Sequence, residues 1–76
     1  MNDKRRSKIK KEIEQIERCV RLLELVADEE QDALSNLPES LADSDLAAKM
    51  EEAEEHIRDA IANLECAVNS LDYAIH

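Results

Sequence analysis

The chain has 76 residues, which is the size of one small domain. It contains no Gly, Phe or Trp, one Pro and one Tyr, so any core must be built from aliphatic side chains. Charged residues make up 38% of the chain, which is typical of long helices or a coiled coil. The net charge of −9 disfavours direct nucleic-acid binding and favours basic partners.

The charge is unevenly distributed along the chain. Residues 1–21 contain eight Lys/Arg and four Asp/Glu, a balance of +4, whereas residues 22–76 have a balance of −13. No apolar run follows the basic start, so it does not match a secretory signal, and we expect no membrane span. Cys19 and Cys66 are isolated in the sequence, which favours a reduced, cytoplasmic protein.

The first predicted helix covers about residues 3–34. Its apolar residues recur at alternating spacings of four and three, which predicts a heptad seam along one face of the helix. The seam contains Ile9, Ile13, Ile16, Val20, Leu23, Ala27 and Leu34. Leu22 and Leu25 lie off this seam.

The only proline of the chain lies in a predicted connection of about residues 35–44. Asn36 precedes Glu39 by three residues, as in an N-terminal helix cap, and this predicts a short helical turn after the proline. Leu37 and Leu41 are expected to cover this end of the hairpin.

The second predicted helix covers about residues 44–75, and Ser44 or Asp43 can cap its N-terminus. Its apolar residues alternate at four and three without interruption. This seam contains Leu46, Met50, Ala53, Ile57, Ala60, Leu64, Ala67, Leu71 and Ala74. Because alanine fills one heptad position four times in succession, we expect an Ala-rich seam with closely spaced helix axes.

Two such helices joined by one short connection predict an all-α fold, an antiparallel, coiled-coil-like hairpin. We expect Leu23 to lie opposite Ile57, and Ile16 opposite Leu64. Several apolar residues remain outside the two seams and form a candidate oligomer face. These residues are Leu22, Leu25, Val26, Ile61, Val68 and Ile75. They predict a homodimeric four-helix bundle or a similar oligomer.

No residues are assigned to catalysis, to a cofactor or to a metal. Acidic residues from Asp28 to Glu39 follow the spacing of a calcium-binding loop, but the glycine that such a loop requires is Ala33. His56 lies on the flank of an aliphatic seam, which does not match a metal centre in a helix bundle. We therefore expect a protein that is not an enzyme.

The basic start, Lys4–Lys11, has two interpretations. It is a nucleic-acid or membrane-surface contact, or it is neutralised within the hairpin by Glu65 and Asp72 near the end of the second helix.

The connection and the start of the second helix are acidic and form a candidate interaction surface. Its residues are Pro38, Glu39, Asp43, Asp45, Glu51, Glu52, Glu54 and Glu55. A rod bearing many carboxylates can imitate a phosphate backbone in the basic groove of another protein, or it can simply be a solvated acidic surface.

Three segments carry a resemblance to a known group of proteins. Asp28–Gln31, Asn36–Leu41 and Met50–Ala53 resemble segments of small acidic helical proteins of phages and prophages of Gram-positive bacteria. The resemblance covers roughly Glu24 to Ala67. It implies a helical hairpin encoded by a mobile element, and it implies no activity and no functional residues.

The sequence therefore predicts a phage- or prophage-encoded protein-protein interaction module. The alternatives are an acidic inhibitor of a host nucleic-acid-handling or defence protein, such as a CRISPR effector, and a self-assembling structural protein. An accessory protein that binds nucleic acid through the basic start is a further class.

Overall fold

The computed structural model describes all 76 residues, and nearly all of them lie in two long helices. Helix α1 is Asp3–Ser35, a single 3₁₀ turn spans Glu39–Leu41, and helix α2 is Asp45–Ile75. The predicted all-α antiparallel hairpin is confirmed. Its radius of gyration is 17.4 Å, against roughly 11 Å for a globular chain of this length. The molecule is therefore a rod.

Both helices begin at side chains that cap their free N–H groups. Asn2 Oδ1 accepts the backbone N–H of Arg5 at 2.9 Å. Ser44 Oγ accepts the backbone N–H of Ala47 at 3.3 Å and donates to the carbonyl oxygen of Leu41 at 2.6 Å. Of the two predicted caps for α2, the structure selects Ser44, and its second hydrogen bond fixes the connection to the start of α2.

The connection differs in detail from the prediction. Asn36 does not cap the 3₁₀ turn; it ends α1, where its backbone N–H donates to the carbonyl oxygen of Asp32 and the N–H of Leu37 donates to that of Leu34. Leu37 is half-buried, whereas Leu41 is 39% exposed. Only one of the two leucines therefore covers the end of the hairpin.

The core is a single seam between the helices. Three alternate seam positions of α1, at Ile13, Val20 and Ala27, are buried. The other seam residues are half-buried: Ile9, Ile16, Leu23 and Leu34. The predicted seam of α1 is thus confirmed.

The predicted seam of α2 is wrong at alternate positions. The residues of α2 that face α1 are Ala47, Met50, Glu54, Ile57, Ile61, Leu64, Val68, Leu71 and Ile75. Ile61 and Ile75 are about 7% exposed, whereas Ala53, Ala60, Ala67 and Ala74 are exposed. Burying isoleucine and valine removes more apolar surface from water than burying alanine, and this difference turns the helix.

The rotation of α2 also corrects the expected oligomer face. Ile61, Val68 and Ile75 pack within the chain and are not available to a second hairpin. The residues expected on α1, in contrast, are exposed outside the core. They are Leu22 and Leu25, each 58% exposed, and Val26, 46% exposed.

The two helices are staggered, which corrects the expected register. Arg58 contacts Asp28 and Gln31 of α1. The predicted pairing of Leu23 with Ile57 would instead place Arg58 beside Leu22. The difference is six residues to Asp28 and nine to Gln31, or roughly two helical turns. Ile75 at the end of α2 consequently lies near Ile13, which is buried as Ile75 is.

The stagger leaves the first two turns of α1 beyond the end of α2. The helices are each about 46–50 Å long at ~1.5 Å per residue, yet the rod extends over 60 Å. At the opposite end of the rod, the start of α2 extends beyond Ser35, the last residue of α1. The connection covers this part of α2, where Leu37 is half-buried and Ala47 is buried. Neither helix contains a segment with the length and hydropathy needed to cross a membrane.

Ile61→Ala tests the observed seam of α2. We expect a loss of about 2–4 kcal/mol in the free energy of unfolding, because the substitution leaves a cavity between the helices. The control Leu25→Ala removes a similar side chain from an exposed site and is expected to change the free energy by less than about 0.5 kcal/mol. Urea denaturation followed by circular dichroism measures both, and equal losses would contradict this packing.

Candidate interaction surfaces

The hairpin has two broad faces of different chemistry. One of them, here called the polar face, contains the residues that directly follow seam positions in each helix. Arg58 follows Ile57, and it meets Gln31 of α1 across this face. A shallow groove on the same face is lined by Glu17, Val20, Arg21, Glu65, Val68 and Asn69.

Arg58 joins the two helices on the polar face. Its guanidinium lies 3.1 Å from Asp28 Oδ1 and 3.0 Å from Glu54 Oε1, and it also donates to Gln31 Oε1 at 3.4 Å. The hydrogen bond to Asp28, followed by the one to Glu54, raises the pKa of Arg58 above its ordinary value.

The same contact accounts for a carboxylate in the seam. Glu54 occupies a position of α2 that faces α1, and its side chain is only 17% exposed. A half-buried carboxylate is costly unless it is paired, and Arg58, one turn later on α2, provides that pair. The sequence predicted that Glu54 belongs to a free acidic surface. That prediction is wrong, because Glu54 is paired with Arg58 and half-buried.

The opposite broad face, here called the apolar face, contains residues that directly precede seam positions. In an antiparallel pair of helices these flanking positions meet on the same side. From α1 the face contains Cys19, Leu22, Val26 and Ala33, with Leu22 one turn from both Cys19 and Val26. From α2 it contains Leu46, Ala53, Ala60, Ala67 and Ala74. All nine of these apolar residues are exposed, and Leu46 is 49% exposed. Exposed polar residues also precede seam positions on this side, so the apolar residues form a strip within the face. They are Lys8, Glu12 and Gln15 of α1 and Lys49, His56, Asn63 and Ser70 of α2.

The acidic pole, defined as the end of the rod formed by residues 28–55, keeps most of the predicted interaction residues at its surface. Only Asp28 and Glu54 form ion pairs there, both with Arg58. The other predicted residues of this surface are exposed. They are Pro38, Glu39, Asp43, Asp45, Glu51, Glu52 and Glu55.

The basic pole, defined as residues 4–11, lies at the other end. Arg6 pairs with Asp3 at 3.2 Å, and none of the other cations of this segment forms an ion pair. The expected neutralisation by Glu65 and Asp72 does not occur, because the stagger carries the basic pole past the end of α2. Its charges consequently face solvent.

The remaining candidate sites lack a suitable geometry. Residues 28–35, which matched part of a calcium loop, are helical, and no group of three or more His, Cys, Asp or Glu residues could hold a metal ion. Cys19 and Cys66 are both exposed and free. They lie at the same level of the rod, but Cys66 is on the outer edge of α2. A second shallow groove, formed by α2 alone, is lined by Asn69, Asp72, Tyr73 and His76.

Comparison of the chain with protein families, with curated proteins and with solved structures gives no match.

Arg58→Ala tests whether the polar face joins the helices. We expect a small decrease in the midpoint of thermal unfolding at low salt, and we expect it to shrink at high salt because exposed ion pairs are screened. The matched control is Arg18→Ala, since Arg18 contacts only Gln15 of its own helix. Identical changes in the two variants at both salt concentrations would contradict a role for Arg58 between the helices.

Proposed function

We propose that this protein is a non-enzymatic interaction module that binds another protein chain through its apolar face. The observation that carries the proposal is the unequal chemistry of the two broad faces. The polar face is crossed by the Arg58 contacts and lined by charged residues, whereas the apolar face presents exposed Leu22, Val26 and Leu46 beside four alanines.

Exposed apolar residues gathered on one face are the feature that distinguishes an interaction surface. Single exposed apolar residues, such as Leu25 and Tyr73 on the outer edges of the rod, are ordinary in proteins. The apolar face instead extends along both helices, from Leu46 to Ala74 on α2 and from Cys19 to Ala33 on α1. Apolar residues gathered in this way on one exposed face mark a site of protein–protein contact.

The origin of the protein belongs to the same proposal. The resemblance to small acidic phage and prophage proteins, carried by residues such as Asn36–Leu41, supports a mobile-element origin. A small helical module that acts by occupying another protein is consistent with that origin.

Ala60→Glu tests the proposed function. A carboxylate in the middle of the apolar face must be desolvated when a partner covers it, so we expect this variant to lose binding to any protein, itself included. The control is Ala62→Glu, an equally exposed alanine on nearly the opposite side of α2. Affinity capture from host lysate, together with sedimentation of the purified chain, measures both kinds of binding. Identical binding by wild type and both variants would contradict the proposal.

A second candidate function uses the acidic pole. Seven residues predicted for this surface are exposed, and the carboxylates among them form no ion pair. We propose as the alternative that these carboxylates occupy the basic groove of a host nucleic-acid-handling or defence protein.

Neutralising part of the acidic pole tests this alternative. The variant combines Glu51→Gln, Glu52→Gln and Glu55→Gln, and the control combines Asp59→Asn, Glu65→Gln and Asp72→Asn, which change the net charge equally. Phosphate mimicry predicts that the first variant loses capture of a basic host protein at low salt, that the control retains it, and that high salt weakens it in the wild type. Equal capture by both variants would exclude this function.

A further inference from the structure

We propose that the partner of the apolar face is the same face of a second copy of this chain, bound antiparallel, so that each basic pole lies against the acidic pole of the other copy. This inference rests on the proposed function and names its partner. The arrangement is a four-helix bundle in which α1 packs on α1 and α2 packs on α2.

The positions of the apolar residues fit a two-fold axis across the rod. On α2 the four exposed alanines are centred between Ala60 and Ala67, and on α1 Cys19, Leu22 and Val26 are centred near Leu22. The contacts of Arg58 with Asp28 and Gln31 set the register of the hairpin, and this register places the two centres at the same level. A two-fold axis at that level therefore packs the alanines of α2 against the same alanines of the second copy. The same axis packs the apolar residues of α1 against their equivalents, as a two-fold interface requires.

The stagger places this level near the middle of the rod. Residues 3–10 extend past α2 at one end, and the start of α2 extends past α1 at the other. A two-fold axis near the middle superimposes the whole length of one hairpin on the other. It pairs Ala60 of one copy with Ala67 of the second, and Ala53 with Ala74.

The side chains suit close contact between the two copies. Alanines at successive heptad positions let two α2 helices approach to the short end of the 8–10 Å range. Larger residues, Leu22 and Val26, fill the space between the two α1 helices. The broad face is 60 Å long and 15 Å wide, so two hairpins that overlap along their whole length have room for a standard interface of ~800 Å² per partner.

Charge selects the antiparallel orientation over the parallel one. A parallel dimer sets two acidic poles side by side and two basic poles side by side, which is repulsive at both ends. In the antiparallel dimer, Arg5 and Lys8 of one copy lie at the level of the connection of the other, where Glu39 and Asp43 are exposed. The cations that find no partner within the hairpin thus find one in the second copy.

The first experiment measures association by sedimentation equilibrium. We expect wild type and Ala62→Glu to be dimers at micromolar concentration, and Ala60→Glu to raise the dimer Kd at least about 100-fold, because each dimer then buries two unpaired carboxylates. A monomeric wild type would overturn the inference, and so would a dimer weakened equally by the two substitutions.

A second measurement needs no change in sequence. Cys19 lies on the apolar face and Cys66 on the outer edge, and both are exposed in the single hairpin. In the dimer we expect alkylation of Cys19 to be at least about tenfold slower than that of Cys66, since the second copy covers it. Equal rates at a concentration where sedimentation shows a dimer would place the interface elsewhere.

The third experiment determines orientation. Ser40→Cys in a Cys19→Ser, Cys66→Ser background carries one spin label at the exposed connection. Antiparallel copies separate the two labels by about 50 Å, nearly the 60 Å length of the rod, whereas parallel copies bring them within roughly 30 Å. The short distance would overturn the orientation.

This inference and the proposed function can fail separately. A monomeric chain that captures another protein, and loses it through Ala60→Glu alone, would retain the function and exclude self-association. A chain that neither dimerises nor captures a protein would exclude both.

Discussion

The rest of the structure depends on which side of α2 faces α1. Two apolar stripes run side by side along this helix, and only one of them can enter the seam. The stripe that ends in Ile61, Val68 and Ile75 enters because it removes more apolar surface from water, although it brings Glu54 with it. Arg58 satisfies that carboxylate and reaches Asp28 at the same time. The alanine stripe is left outside as a consequence, and the hairpin acquires an apolar face.

The stagger of the helices decides how charge is distributed in space. A hairpin with flush ends would place Lys4–Lys11 beside the acidic residues at the end of α2 and neutralise them internally. The observed register moves these cations past Ile75, so the rod has a free positive end and a free negative end. The separated charges are too far apart to pair within one hairpin, but they give a second molecule a preferred orientation.

The sequence predicted the hairpin and the seam of α1, because each rests on a local pattern with no competitor, and it narrowed the cap of α2 to Ser44 or Asp43. It failed where two patterns competed. The alanine stripe alternates without interruption, whereas the stripe that enters the seam is interrupted by Glu54. The prediction therefore followed regular spacing, while the packing of the helices follows side-chain size. Two signals were present: the β-branched residues of the second stripe, and Arg58 one turn after Glu54. The stagger could not be predicted, since a ten-residue connection fits several registers equally well.

An apolar face made mainly of alanine has two consequences, one for the single hairpin and one for contact with another helix. Alanine exposes little apolar surface in the single hairpin and favours the helix more than any other residue. Alanine also lets another helix approach closely, so much of the favourable van der Waals energy is obtained only when a second helix covers the face. In the proposed dimer, Leu22 and Val26 fix the position of contact near the middle of the rod, and the two poles fix its orientation. The proposed function needs no pocket and no reactive group, because it depends on the position of small side chains along one side of the rod.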